Sequence, residues 1–265
     1  MTTDALRASY IARVPAVELR HVGFSYEARG ASVHALADIS LEIDAGAFVS
    51  IVGPSGCGKT TLLQIVAGFA APSTGTLTVA GQAVTGPDRT RGVVFQSPEL
   101  YPWLSVRKNV EFGLKMRRVP RRERAGIADS YLELVGLHGF GDRRPYELSG
   151  GMQQRCQIAR VLANDPEIVL MDEPFGALDA LTRERLQAEL QTIWRTTGKT
   201  VVFITHSVEE AAVLSTRVVA LSARPGRIVL DRAAPFAASN RPLPELRADP
   251  EFVEFQRLIR AAIEP

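Results

Sequence analysis

The chain has 265 residues, 46% of them hydrophobic, which supplies a core for one α/β domain with an insertion and excludes wholesale disorder. Lys and Arg number 31 against 29 Asp and Glu, and a formal net charge of +2 marks no nucleic-acid-binding face. Two cysteines, Cys57 and Cys156, exclude a disulfide framework and a cysteine zinc site, and no stretch reaches the roughly 20 apolar residues of a membrane helix.

Residues 1–14 mix Asp4, Arg7 and Arg13 with small side chains, lack the apolar core of a secretion signal and read as a frayed extension. Residues 17–22 and 37–43 alternate apolar and polar, and 77–79 follow a Ser73-Thr74-Gly75 turn, which predicts antiparallel strands with one wet face. Runs at 48–52, 92–95, 168–171 and 200–205 are nearly continuous in β-branched and aromatic residues. They predict strands buried on both faces of a mostly parallel sheet covered by helices. Helices are predicted over 60–67, 153–163 and 181–196. Residues 99–148 are helical and basic, with Arg117, Arg118, Arg121, Arg122 and Arg124 on a solvated face. Residues 225–250, rich in Pro and Ala, are expected to wrap the surface, and Phe252, Phe255, Leu258 and Ile259 space out an amphipathic end helix. No internal repeat is visible.

Each of the four apolar runs stops at a chemically useful residue: Gly53, Gln96, the pair Asp172-Glu173, and His206. Ligands of open α/β sheets lie beyond the carboxyl ends of the strands, so these four ends form a site hypothesis.

Gly53-Pro54-Ser55-Gly56-Cys57-Gly58-Lys59-Thr60 matches G-x-x-x-x-G-K-[ST] in full, between a strand and a helix. Glycines let successive amides converge on phosphate oxygens, and the helix that follows presents its positive end. Lys59 supplies a point charge to the β- and γ-phosphates, and the Thr60 hydroxyl is a Mg²⁺ ligand. Loop amides and Lys59 around Cys57 are expected to favour a reactive thiolate. Asp172 is placed to hold Mg²⁺, and Glu173 to take a proton from attacking water. In Leu148-Ser149-Gly150-Gly151-Met152, the serine caps a helix and the glycine pair exposes its amides, a second phosphate-binding terminus in a chain with one phosphate loop. The simplest account is that it completes the site of a second copy, with two-fold symmetry building two equivalent sites.

Over about residues 17–223 the chain resembles the nucleotide-binding subunits of ABC transporters. Residues 53–61, which include Thr61, are similar to the Walker A loop, 168–173 to Walker B, and 148–152 to the signature motif. The resemblance implies that Tyr26 stacks on adenine, that Gln96 senses Mg²⁺ and links the site to the membrane partner, that Ala177-Leu178-Asp179 forms the loop at the dimer seam, and that His206 reaches the γ-phosphate. It also implies a RecA-like P-loop NTPase core of α/β class. That core would carry an N-terminal antiparallel β subdomain and an α-helical subdomain inserted at about 97–154, within an ATPase domain at 15–223. Residues 224–265 would form a C-terminal surface segment, with no sizeable appended domain.

Two strings, residues 100–106 and 221–228, resemble importers of nitrate, sulfonates and taurine, with Tyr101-Pro102-Trp103 where that subfamily usually has Leu-Pro-Trp. The implied cargo is a small anion or sulfonate, taurine or an alkanesulfonate first and nitrate or cyanate second. The implied ligands are ATP and Mg²⁺, the latter on Thr60, Gln96 and Asp172. The implied partners are a second copy, two transmembrane permease subunits and an extracytoplasmic substrate-binding protein, with no nucleic acid, at the cytoplasmic face of a bacterial inner membrane. The competing class is a soluble ABC ATPase of repair, translation or cluster assembly. The long coiled-coil or zinc insertions and doubled cassettes of such proteins are not visible in this sequence.

Overall fold

Alternating and continuous apolar patterns separate two kinds of sheet here. In the computed structural model, which describes residues 14–28, 31–176, 178–239, 241 and 243–264, the alternating segments become β1 (Val17–Ala28) and β2 (Ala31–Ile43). Both the extension expected at 1–14, Val14 apart, and Ala177 lie outside the described residues. After β3 (Phe48–Val52) and α1 (Lys59–Ala67), the chain returns with β4 (Thr74–Val79) and β5 (Gln82–Ala83), and a four-stranded antiparallel sheet forms in the order β2-β1-β4-β5. Val17, Leu19, Leu41 and Ile43 turn inward, while Arg20 and Glu42 stay in water.

The second sheet is built from β3, β6 (Arg91–Val94), β7 (Ile168–Asp172), β8 (Thr200–Ile204), β9 (Arg217–Leu221) and β10 (Ile228–Ala233), in the order β10-β9-β3-β8-β7-β6. All pairs are parallel except β9 with β10. Every residue of β3, β7 and β8 is buried, as continuous runs require. Two strands of this sheet escaped the sequence reading. β9 was missed although Val218-Val219-Ala220-Leu221 is an apolar run. β10 lies inside the segment expected to wrap the surface, and its antiparallel edge position leaves most of it part-exposed, which erases the buried-strand signature.

Between β6 and β7 the chain leaves the sheet for α2 (Val106–Met116), α3 (Arg121–Leu134) and α4 (Gly150–Leu162). The remaining helices are α5 (Ala180–Thr197), α6 (Val208–Leu214), α7 (Leu243–Arg247) and α8 (Pro250–Ile263). Phe252 and Ile259 of α8 are fully buried and Phe255 packs against the core, whereas Leu258, expected on the same face, is exposed.

One core joins the sheet to the helices through Phe48, Phe203 and Phe175, whose ring centroids follow at 5.8 and 5.6 Å. Burying each such ring contributes about 1.5–3 kcal/mol. A second core lies between the two sheets around α1, with Leu19, Ile39, Ile51, Leu62 and Ile65. This core clamps the phosphate loop from below, so the loop is held by both sheets at once. Among the described residues, no helix is long and apolar enough to cross a membrane.

Candidate active site

The loop between β3 and α1 takes the shape its glycines allow. Gly56 and Gly58 sit at φ +74° and +104°, where a side chain would be strained, and a Cβ on Gly58 would lie 2.9 Å from the Ala35 carbonyl. Gly58 caps α1 without any side-chain hydrogen bond, and no acid occupies the first turn. By contrast Ser149 caps α4, Asp179 caps α5 and Ser207 caps α6 with side-chain oxygens. Helix α1 therefore keeps open amides and an uncompensated positive end at the loop, which is an anion site.

Lys59 is only 6% exposed, and its Nζ donates to the carbonyls of Gly53 at 2.8 Å and Pro54 at 3.0 Å. The ammonium thus lies folded onto the loop where phosphate oxygens would compete for it. A cleft of about 270 Å³ opens above, lined by Tyr26, Ser55, Lys59, Thr60, Glu173 and Arg224 among others. Tyr26 is half exposed, and its hydroxyl shares a 2.9 Å hydrogen bond with Thr61 Oγ1. Cys57 departs from expectation: its side chain is 1% exposed and belongs to the core under the loop. Its Sγ lies 3.9 Å from Lys59 Nζ but is closed off from solvent, so the accessible thiolate read from the electropositive surroundings is corrected to a buried, packed thiol.

The ends of β7 and β8 supply the acids and the histidine. The Thr60 hydroxyl donates to Asp172 Oδ1 at 3.3 Å. Burial lifts the Asp172 carboxyl above the ordinary carboxylate range, and neighbouring Glu173 adds to this, while Thr60 and Lys59 oppose it. Glu173 follows in the left-handed region at φ +44°, an uncommon conformation for a residue with a side chain. Its amide donates to the Ile204 carbonyl at 3.0 Å, which fixes the turn against β8. Gln96 Nε2 donates to Glu173 Oε2 at 3.1 Å, and His206 Nδ1 lies 3.4 Å from the same oxygen. Groups from two of the other three strand ends, Gln96 and His206, therefore converge on the Glu173 carboxylate.

Behind His206 lies a buried network that the sequence did not suggest. Glu210 on α6 accepts from the Thr205 hydroxyl at 2.5 Å and from Gln187 Nε2 at 3.3 Å, with Arg183 Nε at 3.7 Å. Arg183 also donates to the Leu178 carbonyl at 2.9 Å, so the network ties the turn before α5 to the histidine loop. Burial raises the Glu210 carboxyl, against the pull of Thr205, Arg183, His206 and Gln187.

Ser149, Gly150, Gly151 and Asp179 do not line the cleft of their own chain. Ser149 Oγ accepts from Met152 N at 3.4 Å, and a Cβ on Gly150 would meet nothing within 4 Å. Asp179 Oδ1 accepts from Thr182 N at 3.0 Å, a bond that holds its carboxyl below the ordinary range. Helix α4 still communicates with the site, because Gln154 Nε2 donates to the Phe95 carbonyl, next to Gln96, at 3.2 Å.

A family model described as ABC transporter matches residues 36–176. The chain belongs to the ABC transporter family. This cassette is 52% identical over 225 residues to the taurine import ATP-binding protein TauB of Roseobacter denitrificans, covering 84% of each chain. It is 53% identical over 234 residues to an uncharacterised ABC transporter ATP-binding protein of Methanocaldococcus jannaschii, covering 88% of this chain and 86% of that one. Among solved structures it is similar to the dimeric post-hydrolysis state of the ATP-binding cassette MJ0796 bound to ADP and Pi, with TM-score 0.76, 34% identity, and 82% and 98% of the two chains covered. Membership fixes the fold as a P-loop NTPase and makes the chain an ATP-hydrolysing subunit that acts in transport, with ATP as its substrate.

Proposed function

We propose that this cassette drives import of taurine or a close sulfonate, working as a pair on a membrane permease. Its identity to a taurine import ATP-binding protein over most of both chains carries the cargo assignment. The machinery follows from the site. ATP lays its phosphates on the amides of residues 53–58 and the open end of α1, and Lys59 turns from the Gly53 and Pro54 carbonyls to the β- and γ-phosphates. Tyr26 stacks on the adenine.

Thr60, Asp172 and Gln96 form an all-oxygen donor set that fits Mg²⁺. Asp172 is a buried carboxylate whose charged form burial and neighbouring Glu173 disfavour beyond what Thr60 and Lys59 offset, so a cation there would relieve it, and Gln96 gives its Nε2 to Glu173, which leaves Oε1 for a cation. Bound Mg²⁺ supplies charge neutralisation on the phosphate oxygens. Glu173 takes a proton from water as the water oxygen attacks the γ-phosphorus. The bond from that phosphorus to the bridging oxygen breaks, and its electron pair leaves with ADP. Gln96 and His206 orient Glu173 through the contacts at 3.1 and 3.4 Å, and His206 extends to the γ-phosphate.

Ser149, Gly150 and Gly151 of a second copy close the site from outside, with Asp179 at the seam between copies. The remaining partners in this reading are two transmembrane permease subunits and an extracytoplasmic substrate-binding protein, at the cytoplasmic face of the inner membrane. Trp103, 69% exposed, stands near a cavity of about 550 Å³ whose walls include Tyr101, Phe112, Met116 and Arg160, an aromatic and basic surface suited to a permease segment. The test is ATPase activity of the cassette reconstituted with its permease and binding protein. Taurine should stimulate hydrolysis. Stimulation by nitrate, a sugar or an amino acid and none by taurine would overturn the cargo.

A further inference from the structure

Residues 222–227, within the string 221–228 that resembles the nitrate, sulfonate and taurine importers, lie against the phosphate loop. They connect β9 to β10 and are fastened to two parts of the fold. The Gly226 amide donates to the Ala35 carbonyl at 2.9 Å, and the Ala37 amide donates to the Gly226 carbonyl at 3.0 Å, which anchors the loop to β2. Gly226 is buried so close to the phosphate loop that a Cβ there would lie 2.2 Å from the Cys57 carbonyl. Internally, the Arg227 amide donates to Ser222 Oγ at 3.1 Å and the Ser222 amide to the Arg227 carbonyl at 2.9 Å. The loop is therefore a rigid strap, and the side chain at its tip is presented in a defined place.

That side chain is Arg224. Its Nε donates to the Gly56 carbonyl at 3.1 Å, and its guanidinium lines the same cleft as Tyr26, Lys59 and Glu173. By contrast Arg217, at the other end of β9, closes on both carboxylate oxygens of Asp231. Among the described residues Arg224 has no carboxylate partner, and the Gly56 carbonyl is the one bond the structure gives it. Its terminal nitrogens thus carry a charge and open donors into a cleft already built for phosphate.

We propose that Arg224 is a nucleotide-binding residue whose guanidinium grips the diphosphate common to ATP and ADP. This rests on the nucleotide reading of the cleft. The γ end of the cleft belongs to Lys59, Thr60 and Glu173, whereas Arg224 enters from the wall formed by Tyr26 and Ala35. Guanidinium–phosphate pairing is charge-assisted and directional, so a lysine replaces only part of it. The strap also ties the N-terminal sheet to the phosphate loop, because Gly226 bonds Ala35 and packs against Cys57 while Arg224 bonds Gly56.

The experiment is equilibrium binding of MgADP and MgATP to the dilute 265-residue chain, at low and high ionic strength. Arg224→Ala should weaken both nucleotides roughly fivefold to tenfold at low salt, and by the same factor for each. Raising the salt should shrink the difference from wild type. Arg224→Lys should fall between, and Arg227→Ala, in the same strap but outside the cleft, should bind as wild type does. Wild-type affinity in Arg224→Ala overturns the proposal. So does a loss that is confined to MgATP, matched by Arg227→Ala, or unchanged by salt, since each of these would mean a γ-specific or merely structural role. Failure of the wild-type chain to bind either nucleotide would instead overturn the reading of the cleft itself.

Discussion

Truncating Glu210 to alanine should cost both stability and turnover while sparing ATP affinity. The carboxylate is 8% exposed and holds the Thr205 hydroxyl, the Gln187 amide and the Arg183 guanidinium. Arg183 Nε is already buried without a hydrogen bond, so removal of the carboxylate strands it further. Each buried donor left unpaired costs about 1 kcal/mol, with less for the partly exposed Arg183, which gives about 2–3 kcal/mol in all. For a chain of this size that lowers Tm by about 5–10 °C. Thr205 immediately precedes His206, and its hydroxyl also accepts from the Ser207 amide at 3.0 Å, so the histidine loop should loosen. We expect kcat to fall about tenfold with KM for ATP changed less than about twofold, because the phosphate loop is untouched.

Glu210→Gln keeps the shape and most of the bonds without the buried charge. A carboxyl whose folded pKa is raised stabilises the fold at acid pH and loses that contribution as pH rises through the raised value. Glu210→Gln should therefore gain on wild type from acid to neutral pH, and should melt well above Glu210→Ala. Differential scanning fluorimetry across pH, paired with steady-state ATPase assays, reads both effects. An alanine variant with wild-type Tm and kcat, or a glutamine variant as damaged as alanine at neutral pH, would show that the buried Glu210 network supports neither the fold nor the histidine loop.

Gly150→Asp adds an acid where nothing lies within 4 Å and where a helix N-terminus welcomes one, so Tm should hold or rise. Nucleotide should still bind the single chain, yet hydrolysis should drop at least about 10²-fold through repulsion of the partner's γ-phosphate; retained activity in a phosphate-release assay would remove Gly150 from the site. Trp103→Ala should leave basal ATPase activity intact and cut transport in proteoliposomes about tenfold or more, as loss of an aromatic anchor does; normal transport would exclude Trp103 from the permease surface. Both thiols are buried, and burial pushes the Cys156 thiol up to about 12, so the native chain should resist bulky thiol reagents and show its two free thiols only in denaturant. Rapid native labelling at Cys57, with protection by MgATP, would restore the reading made from its charged surroundings.

The groups that carry chemistry were legible because each motif is short, contiguous and seated at a strand end: Gly53 to Thr60, Asp172-Glu173, Gln96 and His206 all fall where the parallel sheet delivers them. Continuous apolar runs marked β3, β7 and β8 for the same reason. What stayed hidden depends on long-range contact. The direction of the Cys57 side chain follows from packing against the N-terminal sheet, not from the charges around its backbone. β10 has no periodic signal because an edge strand buries little. Arg224 and Glu210 look like ordinary surface charges until the fold sets one against Gly56 and the other against Gln187, 168 and 23 residues away.

In the proposed cycle ATP joins two of these chains, and Glu173 then releases them by hydrolysis. Glu173→Gln preserves the acceptor that Gln96 uses, so the fold and nucleotide binding should survive while hydrolysis falls by about 10²–10⁴-fold. The direct measurement is the mass of this variant in solution by light scattering, with MgATP and with MgADP. The variant should be a stable dimer with MgATP and a monomer with MgADP. A monomer under both conditions, or near-normal ATP turnover by the variant, would contradict this cycle.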